Sequence, residues 1–251
     1  MNRYMGRWRA RTVTVLLTVL LLTPAAHADT VIVAVAANFT KVAEQLAPLF
    51  KAETGHDVTY SFGATGQLYT QISQGAPFEV FLAADDERPT RAVTDGFAVD
   101  GTVFTYAIGA LALYSTTLDL SDGAAVLQGG DFEKLAIADP ATAPYGLAAV
   151  ETIAKLWLTD AIAPKLVTGE NITQTLQFIE SANAELGFVA ASQVVGKSNV
   201  WLVPAADYQP IRQDAVLLKT GADSEAAKAY VAFLKSDTAL VVIRAAGYSV
   251  E

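Results

Sequence analysis

Short apolar runs alternate with amphipathic stretches along nearly the whole chain, and that alternation restricts the fold more than any other feature. Residues 31–36 form a fully apolar run, as a strand does when both of its faces are covered. From Asn38 the apolar residues Val42, Leu46, Leu49 and Phe50 recur at helical spacing until Gly55 stops them. Val58, Tyr60 and Phe62 then alternate as in a strand. A helix follows from about 66 to 73, with Leu68 and Ile72 inward, and Gly75-Ala76-Pro77 separates it from a strand at 80–83. This β-α-β-α-β order predicts a parallel sheet with helices on both faces.

The second half repeats the scheme. Strands are expected at 107–114, 135–138, 186–190, 200–203 and 215–218. Helices are expected at 146–158, 173–181, from Ser224 onward, and at 238–246 before Gly247. The helix at 146–158 places Leu147, Val150, Ile153, Ala154 and Trp157 on one stripe, so Trp157 is expected in the core, as is Trp201. No repeat or long linker interrupts the 251 residues. The length and pattern suit an α/β protein of two lobes with parallel-rich sheets and flanking helices. The expected division is 29–106 plus 216–251 for one lobe and 107–215 for the other, with hinge strands near 104–110 and 203–216.

The N-terminus has the form of an export signal. Arg3, Arg7, Arg9 and Arg11 precede an apolar run at 13–22, and small residues occupy Ala26 and Ala28. About ten apolar residues are too few for a permanent span, which needs about 20. Residues 1–28 are therefore expected to be removed, and the mature protein to reside in the periplasm. The chain has no cysteine, which excludes disulfides, thiolate metal sites, a Cys nucleophile and a lipoprotein anchor. Outside the signal only His56 remains, and one histidine supports neither a zinc site nor a Ser-His-Asp triad. No G-x-S-x-G elbow is present either, so catalysis is not expected. Loss of four arginines and no acids moves the net charge from −9 to −13, which opposes nucleic acid and anionic membranes as partners.

Four strand-to-helix turns hold the chemistry: 36–40, 61–67, 138–146 and 168–173. Each sets small or polar residues where a helix begins, and a helix start presents unpaired N–H groups and partial positive charge. Such a start binds an anion without any Lys or Arg. Gly63 and Gly66 allow close backbone approach, and Asn38 and Thr65 can add side-chain donors. In open α/β sheets the ligand crevice lies at the carboxyl ends of the strands, where these turns fall. Each turn alone also fits ordinary capping and turn chemistry. The acidic run Asp85-Asp86-Glu87 fits a solvated helix start better than a metal site.

Ala36-Ala37-Asn38-Phe39, the run 61–66, the run 75–85 and the stretch from Asp139-Pro140 to Pro144-Tyr145-Gly146 resemble the ModA family, the periplasmic molybdate-binding proteins of ABC importers. The resemblance extends through 186–189 and 245–248, essentially the whole mature chain. It implies a two-lobed type II periplasmic binding protein that closes on molybdate or tungstate. It further implies a monomer, no cofactor, and delivery to an inner-membrane ABC permease. The family's ligand positions match Asn38 and Thr65 in the first lobe. In the second they match Tyr145 and Ile172, acting through backbone N–H. Many relatives have Ser at the Asn38 position and a Tyr at the Ala190 position. The chain is closer to a subgroup with Asn and without that Tyr, so Ala190 stays outside the expected shell. The alternative is a receptor of the same fold for another oxyanion such as sulfate or phosphate. A carboxylate receptor would call for an Arg in the cleft, and none lies in the four turns.

Overall fold

A computed structural model of the chain describes Met1 and residues 29–250. The expected export signal lies outside the described residues. In chain order the elements are β1 (Thr30–Ala36), α1 (Thr40–Thr54), β2 (Asp57–Gly63), α2 (Thr65–Ser73), β3 (Val80–Leu82), α3 (Glu87–Thr94) and β4 (Phe104–Gly109). They continue with β5 (Leu111–Ser115), α4 (Gly123–Gly129), β6 (Leu135–Ala138), α5 (Pro144–Lys155), α6 (Thr159–Ile162), β7 (Leu166–Gly169) and α7 (Ile172–Glu180). The chain closes with β8 (Leu186–Ala190), β9 (Val200–Leu202), β10 (Ile211–Leu217), α8 (Glu225–Phe233) and α9 (Asp237–Ala245).

Two five-stranded sheets result, ordered β2-β1-β3-β10-β4 and β7-β6-β8-β5-β9. In the first, β1 pairs parallel with β2 and β3, and β10 runs antiparallel to β3 and β4. In the second, β6 pairs parallel with β7 and β8, while β5 is antiparallel to β8 and β9. Each sheet is therefore mixed, a parallel core closed by antiparallel strands. Helices cover both faces of the first sheet, which is why β1 is apolar from Val31 to Ala36, with only the exposed Thr30 polar. Val31, Val33 and Val35 face a cluster with Phe50, Tyr230 and Phe233, whereas Ala34 faces one with Leu68 and Phe81. Fully burying one such side chain contributes roughly 1.5–3 kcal/mol.

Two expectations change. The apolar run 107–114 is not one strand. It ends in the first sheet at Gly109, passes Ala110, and starts again in the second sheet at Leu111. The chain returns between β9 and β10, so β4 and all of β10 belong to the first sheet. Trp157 is not in the core: it is 94% exposed, with a left-handed φ of 61°. Helix α5 ends at Lys155 with Leu156 as its C-cap. The helical stripe stops applying there, and Trp157 points away from it. Trp201 does pack against the second core, where Gly123 leaves room for its ring.

Candidate functional site

Four helix starts meet at one small cavity between the two sheets. Its lining includes Asn38, Thr65, Tyr145 and Ile172, together with Ala84 and Asn171. The four expected site residues are thus brought together, and all are buried: Asn38 5%, Thr65 1%, Tyr145 1% and Ile172 3% exposed. Ala190 does not line the cavity; it is buried in the second core. About 10 Å³ is open to the centre of a water-sized sphere, room for one compact group and none for a sugar or peptide. A larger groove of about 370 Å³ lies on the other side of Asn38, against Lys41, Thr173 and Ala245. It includes neither Thr65, Tyr145 nor Ile172, so the convergent donors do not face it.

Three of the four helix starts have an unusual feature in common. The N-cap positions before the short 3-10 turn at Ala37–Phe39, before α2 and before α5 are Ala36, Ala64 and Ala143, and none accepts a side-chain hydrogen bond. Alanine is a poor N-cap, worse than Ser, Thr, Asp or Asn by about 1 kcal/mol. A polar cap here would occupy the donors that now face the cavity. Asn38 is the second residue of the 3-10 turn, Thr65 opens α2, and Tyr145 follows Pro144 in the first turn of α5. At those positions the backbone N–H has no helical acceptor. Pro144 sets the helical φ in advance and has no N–H of its own. Helix α7 is capped, but selectively: Asn171 Oδ1 accepts from the N–H groups of Thr173 (3.0 Å) and Gln174 (3.1 Å). The N–H of Ile172 is the one left over.

The side chains divide the work. Thr65 Oγ1 accepts from the Ala84 N–H at 3.0 Å, which leaves its hydroxyl proton to donate elsewhere. The Asn38 side chain differs from the expected role. Its Nδ2 donates to Gln213 Oε1 at 2.8 Å and to the Tyr248 hydroxyl at 2.9 Å, so both of its N–H bonds serve the protein. The backbone N–H of Asn38 faces no such competitor. The Tyr145 hydroxyl accepts from Gln213 Nε2 at 3.0 Å, away from the cavity, consistent with a backbone contribution from Tyr145. Burial pushes the Tyr145 phenol well above its ordinary pKa and that of Tyr248 up to about 12, so both stay neutral near pH 7.

The sequence reading missed the bonds that hold the two sheets' units together over the cavity. The Gly66 N–H donates to the Thr142 carbonyl at 2.9 Å, and Thr173 Oγ1 donates to the Ala37 carbonyl at 3.1 Å. Arg88 Nη2 donates to the Ala141 carbonyl at 3.2 Å, while Nη1 pairs with Asp85 at 2.5 Å. A side chain at Gly66 would press on both Thr142 and Arg88. Asp85 is thus part of an internal ion pair and not a freely solvated group. Burial raises its pKa despite the opposing pull of Arg88. The Asp85–Arg88 spacing of three within one helix start was the available signal.

Two α/β units closing over one compact, uncharged, donor-lined cavity define a solute-binding protein for a small anion. The family of bacterial extracellular solute-binding proteins matches residues 31–249. The chain is 52% identical to the molybdate-binding protein ModA of Rhodobacter capsulatus, over the full length of both. It is 51% identical to ModA of Azotobacter vinelandii, covering 92% of this chain and 94% of that one. A solved Azotobacter vinelandii periplasmic molybdate-binding protein superposes with a TM-score of 0.85 at 38% identity, covering 88% of this chain and 99% of the other. The chain belongs to the ModA family of solute-binding proteins.

Proposed function

We propose that this protein captures molybdate or tungstate in the periplasm and delivers it to an inner-membrane ABC permease, acting as a monomer with a cleaved signal at 1–28. The observation that supports this most is the set of uncapped helix starts around one cavity. Asn38 and Thr65 supply donors from one lobe, and the backbone N–H groups of Tyr145 and Ile172 supply them from the other. Molybdenum enters as part of the bound oxyanion and not as a bare cation held by the protein.

A neutral shell of donors explains how a protein with such acidic composition holds a dianion. Partial charges at helix starts act within a turn, whereas the net charge acts diffusely through solvent. A shell of donors alone also favours the fully ionised oxyanion. A protonated one would bring a hydroxyl hydrogen with no acceptor, at a cost of about 1–3 kcal/mol. Each sheet with its helices forms one lobe, and the lobes rotate about the two crossings at Ala110 and 203–210. The bonds from Gly66, Arg88 and Thr173 across the cleft belong to the closed form.

Calorimetric titration with molybdate, tungstate, sulfate and phosphate tests the proposal. One-to-one binding of molybdate or tungstate, with no heat from sulfate or phosphate, is the expected result. Binding of sulfate or phosphate instead would transfer the same site to the alternative ligand.

A further inference from the structure

We infer that Gln213 is a positioning residue that joins the two halves of the anion shell, an inference that rests on the cavity being the ligand site. Gln213 lies on β10, next to where the chain re-enters the first sheet, and its side chain is completely buried. Its Oε1 accepts from Asn38 Nδ2 at 2.8 Å, and its Nε2 donates to the Tyr145 hydroxyl at 3.0 Å. One amide thereby contacts one site residue from each lobe.

The surroundings are shaped for this amide. The register between β10 and β4 shifts at Gln213/Asp214: Gln213 faces Ala107, Asp214 faces Thr105, and Tyr106 is the extra residue. Such a bulge re-aims side chains. Here it sets the Tyr106 hydroxyl 3.1 Å from Gln213 Oε1 and 2.9 Å from the Ala83 carbonyl. Gly109 provides the space. A Cβ there would run into the Tyr145 hydroxyl and come within 2.6 Å of Gln213 Nε2. The Asn38 amide is held from a second side by Tyr248, whose hydroxyl donates to the Asn38 carbonyl at 3.0 Å and accepts from Ser192 Oγ at 2.9 Å. A buried amide costs free energy unless its partners are in place, and a hydrocarbon would fill the same space without that demand. Closure of the second lobe completes the set by bringing Tyr145 to Gln213. Asn38 and Tyr145 are then fixed together, and their backbone N–H groups reach the anion in one geometry.

The test is a double-mutant cycle in the whole protein with molybdate and tungstate as probes, reading the dissociation constant by calorimetry and the unliganded Tm separately. Gln213→Met and Tyr145→Phe should each weaken binding by about tenfold, the worth of one buried hydrogen bond. The double variant should be no more than about twofold worse than the weaker-binding single, because both remove the same link. Gln213→Leu serves as a second truncation should the Met variant fold poorly. Fully multiplicative losses would overturn the inference. So would Gln213 variants that lose Tm yet bind as tightly as the unmodified protein, since that is a purely structural role. If the unmodified protein binds neither probe, the ligand reading fails first and takes this inference with it.

Discussion

The two lobes reach the same result, a helix start at the shared cavity, by different local means. The first lobe relies on side chains around its turns. Thr65 accepts from Ala84 and so keeps its hydroxyl proton available to donate, and Asn38 is clamped by Gln213 and Tyr248. The second lobe turns only backbone N–H groups toward the cavity and uses side chains to set them. Pro144 presets α5, and Asn171 consumes the Thr173 and Gln174 donors so that Ile172 keeps its own. The two lobes therefore differ in what they are sensitive to. Substitution of Thr65 in the first lobe should act through a lost side-chain donor. In the second lobe substitutions should act only when they move or block the backbone.

The largest expected effect comes from blocking it. Ala143→Asp would place a cap on α5 and a negative charge at the cavity. Binding should fall by about a hundredfold or more, while the unliganded Tm holds or rises, because an Asp cap stabilises a helix start by about 1 kcal/mol. A variant that still binds tightly would show that the α5 start does not face the ligand. Thr65→Ala comes next, with an expected loss of about 1.5–3 kcal/mol in calorimetric binding, the range for a hydrogen bond to a charged group. Unchanged affinity would remove the Thr65 hydroxyl from the shell. Asn171→Ala removes the selective cap of α7 and should cost about 1 kcal/mol in thermal stability, with a smaller loss of affinity. Ile172→Val is expected to change affinity least, within about twofold, since its side chain donates nothing. A large loss there would break the contrast between the lobes.

Most of the fold was legible because apolar periodicity is local. The runs at 31–36, 135–138 and 186–190 became strands at those positions or within one residue of them. The run 107–114 misled because the switch between sheets at Ala110 is a tertiary event with no local mark except the adjacent Gly109. Trp157 misled because a helical stripe says nothing once the helix has ended. At the site, the turns were visible as small and polar residues at helix starts, and the structure gathers the four expected residues at one cavity. The clearest available signal was overlooked: Ala36, Ala64 and Ala143 stand where Ser, Thr, Asp or Asn would normally cap a helix. Gln213 left no trace in the sequence, because its partners lie 175 residues away at Asn38 and 68 away at Tyr145.

In the proposed binding mode, helix starts from both lobes hold the anion through their backbone N–H groups. Amide NMR of the protein titrated with molybdate tests it most directly. The largest shifts, together with slowed hydrogen exchange, are expected at Asn38, Thr65, Tyr145 and Ile172. Saturable binding that leaves these four amides unmoved, with the main shifts in the groove beside Lys41 and Ala245, would contradict it.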